Sequence, residues 1–463
     1  MIRLRPDDDY MIAVHHPTSP AQIGALQLYD RGGASPDQFV ADIRSHLAKR
    51  LPHTPLLRVR RSAPAHIDCD AWFELSSVDI HTVCEVRCED QELSIDELHH
   101  HVGIWAMEQL DPERVPFHFV VVPRIAGGQS AVYLQTLHAL ADGVGFQWIV
   151  NTLTDGAGDH LGEHPQTSTP QMSPPRTRDE RIPSPPEWLC RSTVALLGDA
   201  WRSRLHSAEL AQARKALAGF KADPAHKRAR TPKLALSGAN SPQRSFTTLS
   251  VGLDRFKSIG AALGGTVNDV FLLVGSGAVR SFLLEVGDLP TDPIVVNAAR
   301  SYRRPEHGEI GNRIVSIHPH LATHLEDPLA RLKAIQASMA SEVERSKLQE
   351  AVMDQNATFF SARKVRQRAA ERVSAGGTLT PGNLTLSNVP GPDAERLFAG
   401  YPMLANYPTP IVGAGRFLNI TMRRYCQRLD LGIMTDAQKV QDARVVRGHV
   451  TDALSQLEQL VSV

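Results

Sequence analysis

The sequence predicts a mixed α/β protein of the α+β type, built as two similar units. Three observations carry this. Its 463 residues exceed what one hydrophobic core ordinarily organises, so two units are the expectation. Helical and strand periodicities alternate along both halves of the chain. Between the halves, "EHPQTSTPQMSPPRTRDERIPSPP" is rich in Pro, Ser and Thr and poor in apolar residues, as an exposed linker is. The expected division is an N-terminal unit at 1–156, a Pro-rich linker with a connecting helix at 157–240, and a C-terminal unit at 241–463.

The elements follow in order. "SPDQFVADIRSHLAKRL" spaces Phe39, Ile43, Leu47 and Leu51 at helical intervals, and "SIDELHHHVGIWAMEQL" does the same with Ile95, Leu98, Val102 and Met107. "FHFVVVP" and "SAVYLQTLH" read as strands, which puts His138 at or just past a strand end, with "ADGVG" as the turn. After the linker, "WLCRSTVALLGDAWRSRLHSAELAQARKALAGF" reads as helix, "KADPAHKRARTPK" as a basic loop and "RSFTTLSVGL" as a strand. "GGTVNDVFLLVGSGAVRSFLLEVGDLP" reads as a helix starting near Thr266–Asn268, with Leu272, Gly275, Val279 and Leu283 on one face. "GEIGNRIVSIHPHL" is a loop feeding a strand, with Gly311, Asn312 and Arg313 in the turn. "LTLSNVPGP" is a strand stopped by a Pro/Gly turn, with the polar groups of Ser387 and Asn388 at its end. "GRFLNITMRRYCQRLDLGIMTD" is a hairpin-like strand pair in which Asn419 and Thr421 share a face.

Composition excludes several function classes. Fifty basic and fifty acidic residues cancel, which removes the electrostatic case for nucleic acid as a partner. The five cysteines (Cys69, Cys84, Cys88, Cys190, Cys426) are scattered and include no Cys-x-x-Cys pair, so a reducing cytoplasm fits better than a disulfide framework or a zinc site. There is no apolar leader at the N-terminus and no run of about 18 apolar residues, which argues against secretion and against a membrane span. Peripheral attachment to the inner membrane or to lipid inclusions stays open. The histidine runs His15-His16 and His99-His100-His101 spread around a helix rather than converge, so no metal is expected. The stretch 356–373 reads as a packed helix with a basic solvated face.

The chemistry centres on "LHALADGVGF" (137–146). Acyl transfer to an alcohol needs a base near neutral pH to take the hydroxyl proton, and histidine is the side chain whose ordinary pKa suits that. His138 is the candidate base. Asp142 can fix the loop and the ring orientation, and Gly143 and Gly145 permit a tight turn and close approach of a substrate. An ordinary turn histidine is the competing reading of this stretch alone.

Taken together and in order, "IGALQLYD", "LHALADG", "TVNDV", "GNR", "SNVPGP" and "LNIT" resemble the bacterial wax ester synthase/acyl-CoA:diacylglycerol acyltransferase family over nearly the whole chain. The resemblance implies two chloramphenicol-acetyltransferase-like domains with a channel between them, in the CoA-dependent acyltransferase superfamily. It implies His138 as the base of the motif His-His-x-x-x-Asp-Gly, with Asp142 and Gly143 filling the later positions. Asp142 is then structural and paired with an arginine across the domains, Arg303 and Arg313 both being candidates. The family's Asn-Asp motif falls on Asn268 and Asp269, facing the channel, and Asn268, Asp269, Ser387 and Asn388 become candidates for substrate or oxyanion contact. A helix cap accounts for Asn268 nearly as well. Phe146, Trp148 and Phe271 either line the channel or belong to the core.

This chain departs from the pattern in three places. Leu137 replaces the first motif histidine, and strand alternation puts it behind the site while His138 faces the channel. "LDPERVPFHF" carries Phe117 and His118 where the family has Pro-Leu-Trp, and Ala299-Arg300-Ser301 replaces a Pro-Val-Ser.

The implied activity is O-acyl transfer from acyl-CoA, a co-substrate, to diacylglycerol or a long-chain alcohol. It needs no cofactor and no covalent acyl-enzyme. Two alternatives remain at this point: another hydroxylated acceptor of polyketide or sugar type, and a non-catalytic lipid-binding relative.

Overall fold

The computed structural model describes residues 1–64, 68–156, 179–220, 230–308, 310–355, 359–377 and 381–462. Most of the expected linker, 157–178, and part of the basic loop, 221–229, lie outside these residues. Two mixed sheets organise the chain. The first runs in the spatial order Cys84–Val86, Phe117–Ile125, Gln129–Leu137, Gln22–Asp30, Tyr401–Thr409, Arg396–Phe398 and Asp155–Gly156. The second runs Ile314–Ile317, Val296–Ser301, Leu384–Val389, Leu418–Tyr425, Arg428–Asp436 and Arg244–Gly252. A small sheet joins Ile2–Arg3, Ala71–Glu74 and Arg58–Arg61.

The sheets do not follow the sequence division into 1–156 and 241–463. Tyr401–Thr409 pairs antiparallel with Gln22–Asp30 in the first sheet, and Arg396–Phe398 pairs with Asp155–Gly156 beside it. Gln22–Asp30 already pairs with Gln129–Leu137 on its other side. Without the crossing segment this mostly buried strand would be left as an open edge with unpaired main-chain groups.

Helices cover the sheets as their periodicity dictates. In Pro36–Arg50, Phe39, Ile43 and Leu47 are fully buried and meet Phe146, Ile149 and Val150 of the helix Gly143–Leu153 in one core. The helix Val267–Glu285 is apolar on nearly every side, and by length and composition it would pass for a membrane span. Its residues Val270 to Val279 are buried beside Leu384, Leu386 and Ile420 of the second sheet, so it is the central core helix of that unit.

Between the sheets lies a third cluster. Leu98 and Val102 of the helix Ile95–Trp105 join Tyr133 of the first sheet to Phe246 and Met434 of the second. His99, from one of the histidine runs, is buried there 3.0 Å from Thr248 Oγ1. Burial pushes its imidazole down to about 4, so it packs as a neutral ring.

The stretch expected as a packed helix near 356–373 is helical over Phe359–Ser374. Ala369 and Val373 are buried with Val14 and Ala21, next to Tyr10 and Met11 of the helix Pro6–Ala13. Phe146 and Phe271 are core residues rather than channel lining, and Trp148 is half-buried against the first core.

Candidate active site

The loop carrying His138 is held from both ends. It leaves the strand Gln129–Leu137 by a turn in which Leu140 N–H donates to the Leu137 carbonyl at 3.0 Å. Leu137, Ala139, Leu140 and Ala141 are all buried, which is unusual for a loop and locks this one to the core. His138 alone among 137–142 is only half-buried. Leu137 takes the inward position expected of it. The loop ends at Asp142, which caps the helix Gly143–Leu153 by accepting a hydrogen bond from Gly145 N–H at 2.9 Å.

The other Asp142 oxygen faces the second half of the chain. Oδ2 accepts from the Arg303 guanidinium at 2.9 Å and from the main-chain N–H of Arg313 at 2.9 Å. Both candidate arginines therefore reach Asp142, but only Arg303 does so with its charge. That guanidinium also donates to the carbonyls of Gly308 and Gly311, so it braces the loop from which Arg313 emerges. Asp142 is thus fully engaged in structure, with no hydrogen bond to the His138 ring among the described residues.

His138 itself is gripped through its backbone. Its N–H donates to Ala21 O at 2.9 Å, and its carbonyl accepts from Asn312 Nδ2 at 2.7 Å. Asn312 is fully buried and is in turn held by Asp8 Oδ1, which accepts its main-chain N–H at 2.7 Å and its Nδ2–H at 2.9 Å. The neighbouring Gly311 N–H donates to Leu140 O at 2.7 Å. Gly311 has φ +74°, and a Cβ there would lie 2.9 Å from Asp8 Oδ2, so both conformation and space call for glycine.

Burial pushes the His138 imidazole below its ordinary value, against smaller upward pulls from its own carbonyl, Asp142 and Asn312. The ring is therefore neutral at pH 7, the form a base requires. Its Nδ1 is buried inside the loop. Asp8 shows the opposite response: burial raises its carboxyl to about 7, although both hydrogen bonds from Asn312 favour the charged form.

The remaining candidates gather at a neighbouring strand end. The strand Leu384–Val389 abuts the start of the Gly143 helix so closely that a Cβ on Gly143 would lie 2.7 Å from Val389 Cγ1. Ser387 is half-buried on that strand, and the exposed Asn388 donates to Asn268 Oδ1 at 3.3 Å. Asp269 is committed elsewhere. It closes a capping box with Thr266, accepting from Thr266 N–H and Oγ1–H, both at 2.8 Å. No hydrogen bond among the described residues joins Asn268, Asp269, Ser387 or Asn388 to His138.

The departures from the family pattern find local partners. Phe117 is buried, and His118 Nε2 lies 3.5 Å from Glu85. Arg300 donates to Ser346 Oγ and to Glu350, both at 2.7 Å, tying its strand to the helix Pro328–Gln355. A small cavity of about 20 Å³ is lined among others by Gln22, Tyr133, Gln135, Arg244, Thr409 and Met434. Its lining residue Gln22 is the register partner of Leu137, and Arg244 and Met434 come from the second sheet, so the space lies between the sheets.

Asp8 and the side-chain role of Asn312 are the residues that sequence reasoning missed. Asn312 was visible only as part of a turn. Nothing in "PDDDYM" distinguishes Asp8 from its neighbours.

The chain is similar to known proteins along nearly its whole length. Residues 4–271 match the wax ester synthase/diacylglycerol acyltransferase catalytic domain, and residues 310–458 match the WS/DGAT C-terminal domain. The chain is 26% identical to an O-acyltransferase WSD of Acinetobacter baylyi, over 99% of this chain and 97% of that one. It is 28% identical to a putative diacylglycerol O-acyltransferase of Mycobacterium tuberculosis, over 99% of this chain and 100% of that one. Its fold is similar to the wax ester synthase/diacylglycerol acyltransferase structure from Marinobacter aquaeolei VT8, with TM-score 0.70 and 20% identity over the full length of both chains.

Proposed function

The chain belongs to the wax ester synthase/diacylglycerol acyltransferase family and is an acyltransferase, and from that premise we propose that it transfers a fatty acyl group from acyl-CoA to the hydroxyl of diacylglycerol or a long-chain alcohol, with His138 as general base. The observation that carries the proposal is a half-buried, neutral imidazole on a loop whose every other side chain is fixed in the core or in an ion pair.

The step is direct. As the acceptor oxygen attacks the thioester carbonyl, His138 Nε2 takes its proton; the tetrahedral intermediate then breaks its C–S bond, and the same proton passes to the departing CoA thiolate. Neither a cofactor nor an acyl-enzyme enters. Of the expected aspartate roles, this reading keeps orientation: with Arg303 holding its charge, Asp142 sets the loop and does not accept a proton. The base contributes about 10²–10⁴-fold, and alignment of the two substrates with stabilisation of the oxyanion supplies the rest. The Asn268–Asn388 pair at the neighbouring strand end is the source of oxyanion or substrate contacts in this proposal.

Attachment at a lipid surface belongs to the same proposal, since the acceptors are insoluble in water. It is supported by the helix Pro185–Leu205, where Val194, Leu197, Trp201 and Leu205 are each more than 60% exposed. At 100° per residue these four share one stripe, flanked by Arg204 on one side and by Arg191 and Arg202 on the other. An apolar stripe containing Trp and edged by arginines suits the boundary between headgroups and acyl chains.

The test follows CoA thiol release from palmitoyl-CoA with dipalmitoylglycerol or hexadecanol, beside His138→Ala. Acceptor-dependent release that is lost in the variant is the expected result. Release with neither acceptor directs the search to other hydroxylated acceptors, and release undiminished in His138→Ala removes the base assignment.

A further inference from the structure

The His138 loop is tied to the rest of the chain through two buried acids, and only Asp142 belongs to its own motif. The other anchor comes from the N-terminal helix Pro6–Ala13. Its three consecutive acids have separate partners: Asp7 lies 3.8 Å from Arg5, Asp9 pairs with Arg366 of the helix Phe359–Ser374 at 2.9 Å, and Asp8 turns into the site. Asp8 is 4% exposed, and a single one of its oxygens, Oδ1, takes both the main-chain and side-chain N–H of Asn312.

Asn312 Nδ2 has two hydrogens. One goes to Asp8 and the other to the carbonyl of His138, at 2.9 and 2.7 Å. Asn312 thus reaches the His138 carbonyl directly from its side chain. Rotation of the Asn312 amide would turn its oxygen toward two acceptors at once, the His138 carbonyl and Asp8 Oδ1, the latter already marked as an acceptor by the Asn312 main-chain N–H it takes. Asp8 thus fixes which way the amide points, and the amide fixes the peptide that carries the base.

Resting on the reading of His138 as base, we propose that Asp8 is a positioning residue for this acyltransferase, acting through Asn312 to hold the His138 peptide in the orientation that aims the imidazole at the acceptor hydroxyl. It touches no substrate. A displacement of about 1 Å in a catalytic group costs on the order of 100-fold in rate, so a lost anchor one residue from the ring has a measurable effect on turnover.

The experiment uses the full chain as wild type, Asp8→Ala, Asp8→Asn, Asn312→Ala, His138→Ala and Asp8→Ala/His138→Ala, each checked for folding by circular dichroism and thermal unfolding. Initial rates with palmitoyl-CoA and the accepted alcohol give kcat and KM. The expected result is a kcat lowered by about 10–100-fold in Asp8→Ala and Asn312→Ala, with KM for palmitoyl-CoA nearly unchanged. Asp8→Asn, which retains an oxygen able to accept both hydrogens, keeps most of the rate. In the His138→Ala background, Asp8→Ala lowers the residual rate no further, because the group it positions is gone.

A folded Asp8→Ala with wild-type kcat overturns the proposal. So does an equal fold-loss in both backgrounds, which would mean that Asp8 acts on the structure at large. If Asp8→Ala does not fold, Asn312→Ala is judged by the same criteria, and if neither folds, the proposal is overturned in favour of a purely structural role. His138→Ala on its own reports separately on the base assignment.

Discussion

Asp142 and Arg303, 161 residues apart in sequence, meet at 2.9 Å where the two halves of the chain join, with the carboxylate wholly buried. The pair fixes the loop that carries His138 and couples the halves at the same point. Arg303→Ala leaves a buried carboxylate without its counter-charge, and a loss of about 3–5 kcal/mol is expected. Arg313→Ala retains the main-chain N–H that Asp142 uses and should cost clearly less. Urea unfolding of the two variants makes the comparison; equal losses would mean that the guanidinium of Arg303 is not what holds Asp142.

The base assignment has a sign in pH. A base works unprotonated, and burial lowers the His138 pKa, so the acid limb of kcat/KM should fall below the ordinary histidine value of about 6.5. Activity is then full at pH 7 and declines only as the pH drops beneath that value. A limb centred above 7 would contradict a buried neutral imidazole.

Asp8 makes a prediction of the opposite sign about stability. Its folded carboxyl is raised to about 7, with Arg5 pulling down and Asp7 pushing up in smaller measure. Between the ordinary carboxyl range near 4 and this value the folded chain holds a proton that the unfolded chain has released, so the group's contribution to stability declines as pH rises through the window. Asp8→Asn removes that decline. Relative to wild type, its melting temperature should rise more at pH 8 than at pH 5, and a gain confined to pH 5 would refute the assignment.

The stripe on the helix Pro185–Leu205 is tested with charges. Leu197→Glu and Trp201→Glu replace exposed apolar groups, so the fold should tolerate them. Co-sedimentation with anionic phospholipid vesicles should weaken, and turnover of a short-chain soluble alcohol should not change. Unaltered sedimentation would assign the stripe to some other contact.

Much of this architecture was legible beforehand because periodicity and capping are local properties. Phe39, Ile43 and Leu47 announced a buried helix face, and Asp142 with Gly143 and Gly145 announced a tight turn at a strand end. What escaped was set by pairing at a distance. Arg303 and Arg313 lie ten residues apart in one stretch, and which of them turns its side chain toward Asp142 depends on a loop that Arg303 itself ties together. Asp8 is one of three consecutive acids in the first turn of its helix, and only its long-range contact with Asn312 sets it apart from the other two. Asp269, which the resemblance put toward the channel, also closes a capping box with Thr266 three residues earlier.

The strand Tyr401–Thr409 has a consequence for how the molecule is made. A ribosome releases the Gln22–Asp30 strand long before the segment that must lie along its open side, and every residue through Thr409 has to emerge before the first sheet can close. Until then the nascent chain exposes an apolar edge able to pair with its neighbours. A gene fragment ending at residue 156 therefore encodes an unfinished sheet. Expressed alone, such a fragment is expected to be less soluble than the full chain, because the Gln22–Asp30 strand keeps an open side.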